Sequence, residues 1–403
     1  MKRPLCGILA LSLAVASVSA AQGKSGKGKP AKGKAKVTAP VTGAFIIRLG
    51  YDTVAIEQFS RTNERLQGDI VFRSPATRVL HYDATLAPDG SVTRLESATR
   101  QGAAAPDAPP VSSSVMTWSG DTAVVETRRG DSTVTRRVAA RANTIPSLAN
   151  SYALYEMALR QALRTRGDSV AMPMVPIGGQ AVAMLSARRV GKDTVYLTTP
   201  NGMLHARLDR NGDIRGGRVV TGTQQFTAER VKLQDFPALV ARFVARDAAG
   251  ARMGALSPPD SVMTKVGMAN VTINYSKPAR RGRTVFGSGI APWGKVWRTG
   301  ANAATSFKTD ADLMIGETLV PAGSYTLFSV PEADGWTLII NKQTGQWGTV
   351  HDEKQDLARI PMQLTRLSAP VEQFVIAVDQ APQGNVLRMA WDDRQGTVRI
   401  APR

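Results

Sequence analysis

The sequence between Tyr275 and Lys342 is the most informative part of this chain, and it reads YSKPARRGRTVFG at 275–287, GKVWRTGAN at 294–302, PAGSYTLF at 321–328 and GWTLIINK at 335–342. Short apolar runs alternate there with polar residues, which is the pattern of strands with one buried face. Between them lies a cluster of Trp, Arg, Thr, Asn and Gly that a hydrophobic core does not need. The stretch therefore predicts β-strands that carry a polar cluster at one end.

The same alternation continues on both sides of this stretch. From 42 to 233, turn signals at intervals of roughly 8 to 12 residues predict an antiparallel β domain, either a curved sheet or a barrel. From 257 to 403 the alternation predicts a second antiparallel domain, a β-sandwich for which a jelly roll is one option. Since helical crossovers do not separate these strands, the predicted class is mainly β with two antiparallel domains.

Two segments have helical periodicity instead. Residues 147–166 carry apolar side chains at intervals of three and four, which predicts an amphipathic helix that covers the N-terminal sheet. Residues 234–256 predict a helical connector. The prolines at 258 and 259 follow it, and paired prolines end regular structure, so we place the domain boundary at residue 257.

The C-terminal motifs resemble those of a bacterial family, the domain of unknown function 2911 (DUF2911). They occur in order from about residue 257 to 403 and comprise YSKP, Gly282-Arg283, GKVWRTGAN, PAGSYTLF, Trp336 with Asn341-Lys342, QWG at 346–348, and Asp356 with Arg359. The resemblance implies a β fold and an exported protein, and the family carries no assigned reaction. One departure is Ala303, where members of the family have an acidic residue.

The first residues predict a secretory signal peptide over 1–21. Lys2 and Arg3 precede the apolar run Leu5–Val18, and small residues lead to a cleavage position near Ala20. The run is too short to span a bilayer stably, although a retained anchor is the alternative. We therefore expect a periplasmic or secreted protein without a transmembrane segment in its mature form.

Charge and cysteine content restrict the classes of partner and of chemistry. The formal net charge is +19, and a tract at 22–41 rich in Lys, Gly and Ala predicts a disordered linker. Its cations favour an anionic envelope surface as partner, or the linker is a solvated spacer. Aromatic residues do not alternate with the basic ones, so we expect no nucleic acid. Cys6 is the only cysteine, which excludes thiol enzymes and zinc-thiolate sites from the mature protein.

The polar cluster supplies the candidate ligand-binding residues. A guanidinium beside a wide ring can stack and still present a fork of donors, glycine permits a sharp turn, and asparagine offers both a donor and an acceptor. The alternative is a buried network that satisfies an irregular loop. The predicted residues are Tyr275, Arg283, Trp297, Arg298, Thr299, Asn302, Lys342 and Trp347.

Catalytic and metal-binding signals are weak. His81, His205 and His351 are the only histidines and lack the spacing of a helical metal pair. His351-Asp352-Glu353 is either a cation ligand set or a solvated loop. Ser288 lacks the setting of a nucleophile elbow. We therefore predict no catalytic residue, no metal and no cofactor.

Three functional hypotheses remain open at this point. The favoured one is an exported, non-catalytic binding module for a small or glycan-like ligand. The second is an envelope hydrolase that acts on glycans or esters with two carboxylates as acid and base. The third is an architectural envelope protein that its lysine-rich linker tethers to anionic surfaces.

Overall fold

A computed structural model describes residues 39–105, 107–141, 144–164, 169–178, 181–199, 202–381 and 384–403. Within it, Pro40–Arg403 forms one compact unit. The predicted signal peptide and the predicted linker up to residue 38 lie outside the described residues. The last residue of the predicted linker, Val41, is the first residue of a strand.

Two β-sheets and two helices make up the described fold, which confirms the predicted mainly β class. The first sheet has fifteen strands. They are β1 Val41–Leu49, β2 Asp52–Arg61, β3 Arg65–Phe72, β4 Arg78–Leu86, β5 Val92–Gln101, β6 Ser112–Ser119, β7 Thr122–Arg129, β8 Ser132–Ala139, β9 Ile145–Ser147, β10 Ser169–Pro176, β11 Ala183–Arg189, β12 Thr194–Thr199, β13 Gly202–Leu208, β14 Ile214–Val219 and β15 Thr227–Val231.

The order of these strands makes the first sheet an open one. It runs from β8 back to β1, continues with β15 and ends at β9. All neighbours are antiparallel except β9 and β10, which pair in parallel. Since β8 and β9 are the two edges, the observed form is the sheet rather than the closed barrel.

Helix α1, Tyr152–Arg164, lies within the stretch for which the sequence predicts a helix. Its buried side includes Tyr152, Leu154 and Leu159, and these residues share one core with strands from across the first sheet. The ring of Tyr152 lies 5.4 Å from that of Phe45 in β1. The helix therefore covers one face of the sheet, as its amphipathic pattern requires.

A buried carboxylate joins α1 to the sheet. Glu57 in β2 is fully buried, and its side chain accepts hydrogen bonds from the backbone N–H groups of Tyr152 at 2.7 Å and Ala153 at 3.1 Å. It also accepts from the hydroxyls of Tyr82 at 2.8 Å and Ser151 at 2.7 Å. Burial raises the pKa of Glu57, while the four donors and the helix N-terminus favour the charged form.

Helix α2, Phe236–Ala248, packs on the opposite face of the first sheet. Asp235 caps its N-terminus by accepting a hydrogen bond from Ala238 N at 3.1 Å, and Phe236 and Phe243 pack against Ile56 of β2. Among the described residues, neither helix is long and apolar enough to cross a membrane.

The second sheet is antiparallel and has nine strands in the order β16-β17-β18-β21-β22-β23-β24-β19-β20. A short 3₁₀ helix, Glu353–Gln355, precedes β23. The strands are β16 Pro259–Val266, β17 Ala269–Ser276, β18 Thr305–Thr309, β19 Leu313–Ile315, β20 Thr318–Val320, β21 Gly323–Pro331, β22 Trp336–Asn341, β23 Asp356–Ala381 and β24 Gly384–Pro402.

The long hairpin of β23 and β24 lets this sheet enclose a core of its own. Its register shifts between Arg366 and Val371 and again between Val371 and Val375, and such irregularities bend strands. Side chains from both ends of the sheet, such as Phe307 and Ile315, therefore meet in one hydrophobic core. This is the sandwich-like packing expected for the C-terminal half.

We expect the substitution Glu57→Ala to lower the free energy of unfolding by about 3 kcal/mol or more. It leaves two hydroxyls and two helix N–H groups inside the core without a hydrogen-bond acceptor. Urea denaturation measures the change. Glu64→Ala, at an exposed position between β2 and β3, is the control and should be nearly neutral. Equal stability of the two variants would contradict the role of Glu57.

Candidate functional site

A cleft of about 1030 Å³ lies between the first sheet and the C-terminal loops, and we call it the main cleft. The first sheet contributes the turn at 221–224 and Phe226, the segment after α2 contributes 255–257, and the loops around GKVWRTGAN form the other wall. Its size is that of a small-molecule site, which the two halves of the fold build together.

Trp297 anchors the GKVWRTGAN loop to the second sheet. Its backbone N–H donates to Ser329 O at 2.7 Å, and Ser329 N donates back to Trp297 O at 2.9 Å. The indole stacks on Trp391 with the ring centroids 5.6 Å apart, and it meets the edge of Phe374 at 5.0 Å. Trp297 is therefore both a core residue and part of the wall of the cleft.

The turn that follows Arg298 is strained and held in place. Thr299 and Asn302 have φ of 51° and 61°, which is unusual for a β-branched residue such as Thr299. The Thr299 hydroxyl donates to Ser329 Oγ at 2.9 Å, and its carbonyl accepts from Thr305 Oγ1 at 2.6 Å. Because strain of this kind persists only where neighbours enforce it, the turn fixes the backbone next to Arg298.

Among the described residues that line the main cleft, Arg298 is a charged side chain without a protein partner. Its side chain is half-buried and lines the cleft. None of the hydrogen bonds or ion pairs among the described residues involves its guanidinium. A Cβ on Gly348 would lie 2.7 Å from Arg298 Cδ, so this glycine lets the stem of the arginine pack closely. Burial lowers the pKa of Arg298, yet a guanidinium remains charged at neutral pH.

The lining of the main cleft is cationic and aromatic. Its charged or ionisable side chains among the described residues are Arg283, Arg298 and His351, with no Asp, Glu or Lys. The aromatic lining residues in this part of the chain are Phe226, Trp297, Phe328, Trp347 and Trp391. This combination suits a ligand with an acidic group and a ring or apolar body.

Arg283 lines the same cleft and has the opposite character. It donates to four backbone carbonyls: Ala279 at 2.6 Å, Arg280 at 2.9 Å, Thr223 at 3.1 Å and Gln224 at 3.2 Å. Burial lowers its pKa to about 10. The last two bonds reach the first sheet, so Arg283 fastens the two walls of the cleft to each other.

His351 also lines the main cleft, with one ring nitrogen engaged. Its Nε2 lies 2.8 Å from Asp356 Oδ1, which also accepts from Asn341 Nδ2 at 2.7 Å. Because an ionised carboxylate only accepts, we assign the proton to Nε2. Nδ1 has no partner among the described residues and is not buried. Of the two alternatives for 351–353, the cation ligand set has no support, since the described residues contain no group of three or more His, Cys, Asp or Glu side chains able to hold a metal.

Comparison with known proteins agrees with the motifs that surround the cleft. Residues 257–400 match the DUF2911 family, whose description is a protein of unknown function. This confirms the resemblance drawn from the sequence, and the match leaves the first sheet outside it. No curated protein matches the chain.

One solved structure is similar to part of the chain. It is the crystal structure of a DUF1089 family protein from Pseudomonas aeruginosa, with 8% identity and a TM-score of 0.30. The similarity covers 41% of this chain and 89% of that one.

Five of the eight predicted site residues line the main cleft, all of them in the DUF2911 region: Arg283, Trp297, Arg298, Asn302 and Trp347. Of these, Asn302 contributes through its turn, because its backbone O accepts from Gly348 N at 3.0 Å. Trp347 keeps 55% of its surface exposed and offers an open ring face.

The other three predicted residues lie outside the cleft. Tyr275 belongs to the core, where its hydroxyl donates to Asp260 at 3.0 Å and burial raises its pKa to about 12. Thr299 is buried because its hydroxyl turns towards β21. Lys342 is exposed just beyond β22 and is not among the residues that line the cleft.

Several residues of the cleft have no signal in the sequence. The turn at 221–224 and Phe226 come from the first sheet, and they reach the cleft only through the contact between the two halves of the fold. Trp391 lies in the last strand and joins through its stacking on Trp297. Other lining residues that were not predicted do stand in or next to recognised motifs: Pro278 in YSKP, Phe328 in PAGSYTLF, Gly348 in QWG, and His351 just after QWG.

The two cleft arginines should respond differently to truncation. We expect Arg283→Ala to lower the free energy of unfolding by at least about 2 kcal/mol, since it leaves four carbonyls without their donor. Arg298→Ala should change stability by less than about 1 kcal/mol, because it removes the packing of the stem but no hydrogen bond or ion pair among the described residues. Chemical denaturation of both variants measures the contrast, and a large loss in Arg298→Ala would show that the residue is structural.

Proposed function

We propose that this is an exported binding module whose main cleft takes a small or glycan-like ligand that carries an acidic group. The observation that carries the proposal is the unpaired guanidinium of Arg298 in a cleft whose described lining has no carboxylate. The N-terminal sequence supports export, which brings the cleft to a compartment where acidic sugars occur on surfaces and in solution.

The chemistry of the cleft favours an acidic sugar within this class. A guanidinium binds a carboxylate through two parallel hydrogen bonds, and such bonds are stronger than those between neutral groups. Trp347 offers an exposed ring beside it on the same wall, suited to the apolar face of a sugar ring. The polar backbone of the turn at 221–224 can hydrogen-bond to hydroxyl groups.

The side chain of Arg298 is held in position before any ligand binds, which favours a role in ligand binding over a role as one of many surface charges. Gly348 and the strained turn at 299–302 limit the movement of its stem. A side chain that is ordered before the ligand arrives loses little conformational entropy on binding. The cleft therefore has the features of a recognition site on a rigid scaffold.

Calorimetric titration with glucuronate and galacturonate, against glucose and galactose as neutral counterparts, tests the proposal. We expect the acidic sugars to bind more tightly, and Arg298→Ala to weaken them by at least about tenfold. Lys342→Ala removes an exposed cation outside the cleft and is the matched control. Equal binding of acid and neutral sugars, or undiminished binding by Arg298→Ala, would refute the role of Arg298.

One observation favours a second candidate function, hydrolysis of an acidic ester. The His351–Asp356 pair has the arrangement of a general base with an orienting carboxylate. His351 Nδ1 would take a proton from water as the water oxygen attacks the ester carbonyl carbon. It would return that proton to the alcohol oxygen as the ester C–O bond breaks and the alcohol leaves, while Arg298 would hold the acidic part of the substrate. The two-carboxylate version has no support among the described residues that line the cleft.

An ester panel separates this function from binding alone. If the protein is a hydrolase, p-nitrophenyl esters with an acidic acyl group turn over, and His351→Gln loses most of that activity while it still binds glucuronate. Asp356→Asn should lower the rate as well, because the imidazole loses its orienting acceptor. If the unmodified protein hydrolyses none of these esters, the hydrolase function is refuted and ligand binding alone remains proposed.

A further inference from the structure

A second cleft, of about 530 Å³, lies between α2 and the face of the first sheet that α2 covers, and we call it the α2 cleft. Its charged lining residues in the described chain are Asp52, Arg73, Arg242 and Arg246, and Phe243 lies among them. It shares no described lining residue with the main cleft.

Arg73 is a buried cation without a carboxylate partner among the described residues. The residue is only 5% exposed. Its Nη1 donates to Thr53 O at 3.3 Å, and its guanidinium carbon lies 4.8 Å from the centre of the Phe243 ring. Its Nε is buried with no hydrogen-bond partner in the described structure. Burial of a guanidinium is costly unless charge-assisted hydrogen bonds compensate it.

Two further arginines converge on this position from one side of α2. Arg242 and Arg246 are one helical turn apart and exposed, and no hydrogen bond or ion pair among the described residues involves either guanidinium. Arg242 lies 5.6 Å from the same Phe243 ring. The pKa of Arg73 is lowered by burial first and then by the nearby charge of Arg246. Three like charges are therefore close enough to repel one another.

Two acidic side chains lie near the α2 cleft and act on Arg73 through their charge. Asp52 forms an ion pair with Arg281. Asp247 accepts a hydrogen bond from Thr77 N at 2.7 Å through one oxygen, and its other oxygen is buried without a hydrogen-bond partner among the described residues. Neither carboxylate forms an ion pair with Arg73, Arg242 or Arg246. The cleft thus keeps an excess of positive charge that an external anion can neutralise.

We infer that the α2 cleft is a second binding site, for the phosphate group of a phosphomonoester. A phosphomonoester carries up to two negative charges and three terminal oxygens. Three guanidinium groups offer donors to all three oxygens and enough positive charge to neutralise both negative charges. The volume exceeds what a bare oxyanion needs and falls in the range of small-molecule sites. Free sugar phosphates and the headgroup of phosphatidate share this chemistry.

Calorimetry with inorganic phosphate and with glucose 6-phosphate tests the site on the full chain. We expect the double substitution Arg242→Ala/Arg246→Ala to raise the dissociation constants for both probes by at least about tenfold. Because no hydrogen bond or ion pair among the described residues involves these two guanidinium groups, the melting temperature without phosphate should stay the same or rise as repulsion is relieved. Arg215→Ala/Arg218→Ala removes the same charge at exposed positions outside the cleft and should bind as the unmodified protein does.

Arg298→Ala keeps the α2 cleft intact and separates this inference from the proposed function. Phosphate binding that persists in Arg298→Ala and weakens in the α2 double variant supports the inference whatever the main cleft binds. Binding that Arg298→Ala removes, or that the double variant retains, overturns it. Chloride at the same ionic strength that raises the melting temperature as much as phosphate does would also overturn the inference.

Vesicles identify the source of the phosphomonoester. Phosphatidylcholine vesicles with and without phosphatidate are sedimented with the unmodified protein and with the α2 double variant. Phosphatidate-dependent sedimentation that the double variant loses assigns the site to a lipid headgroup, whereas binding of glucose 6-phosphate without sedimentation assigns it to a solute. If the unmodified protein neither binds glucose 6-phosphate nor sediments with phosphatidate vesicles, the inference is overturned.

Discussion

Charged side chains that leave water need hydrogen-bond partners, and this need organises the protein at three positions. Glu57 meets it with two helix N–H groups and two hydroxyls, and thereby fixes α1 on the first sheet. Arg283 meets it with backbone carbonyls from both halves of the fold, and thereby holds the main cleft in shape. Asp356 meets it with His351, Asn341 and Arg359. In each case a buried charge joins elements that hydrophobic packing alone would leave free to shift.

A half-buried charge without such partners is an exception to this rule and therefore a candidate for ligand binding. Arg298 and Arg283 line the same cleft and both lose water, but within the described part of the chain only Arg283 recovers hydrogen bonds. A fold that satisfies one guanidinium so completely can satisfy its neighbour, and the glycine at 348 shows that the stem of Arg298 is closely packed. The open end of that side chain therefore supports the proposed binding role of Arg298 rather than a packing defect.

The sequence predicts the layers of this fold better than it predicts the site. Alternation along β17 and β21 and the apolar intervals at 147–166 reflect burial against a neighbour, which each segment encodes locally. A binding site depends instead on which segments of the chain come together in the fold, and a single segment does not encode this. Tyr275 and Arg298 sit in the same set of motifs, but the alternation of β17 turns Tyr275 into the core. The turn at 221–224 enters the cleft from a segment without any motif, because the contact between the two sheets is tertiary.

The two clefts differ in how their cations are held, and this difference bears on what each can distinguish. Arg298 is pinned by a strained turn and a close glycine, so the direction of its donors is set before a ligand arrives. Arg242 and Arg246 are long exposed side chains on a helix, and only Arg73 beneath them is fixed. A guanidinium whose direction is fixed selects ligands by geometry. Exposed arginines around a buried arginine attract ligands by charge, and the affinity then depends strongly on salt. Under the two proposals, the main cleft would discriminate between ligands of similar charge, while the α2 cleft would hold any ligand that presents a dianionic group.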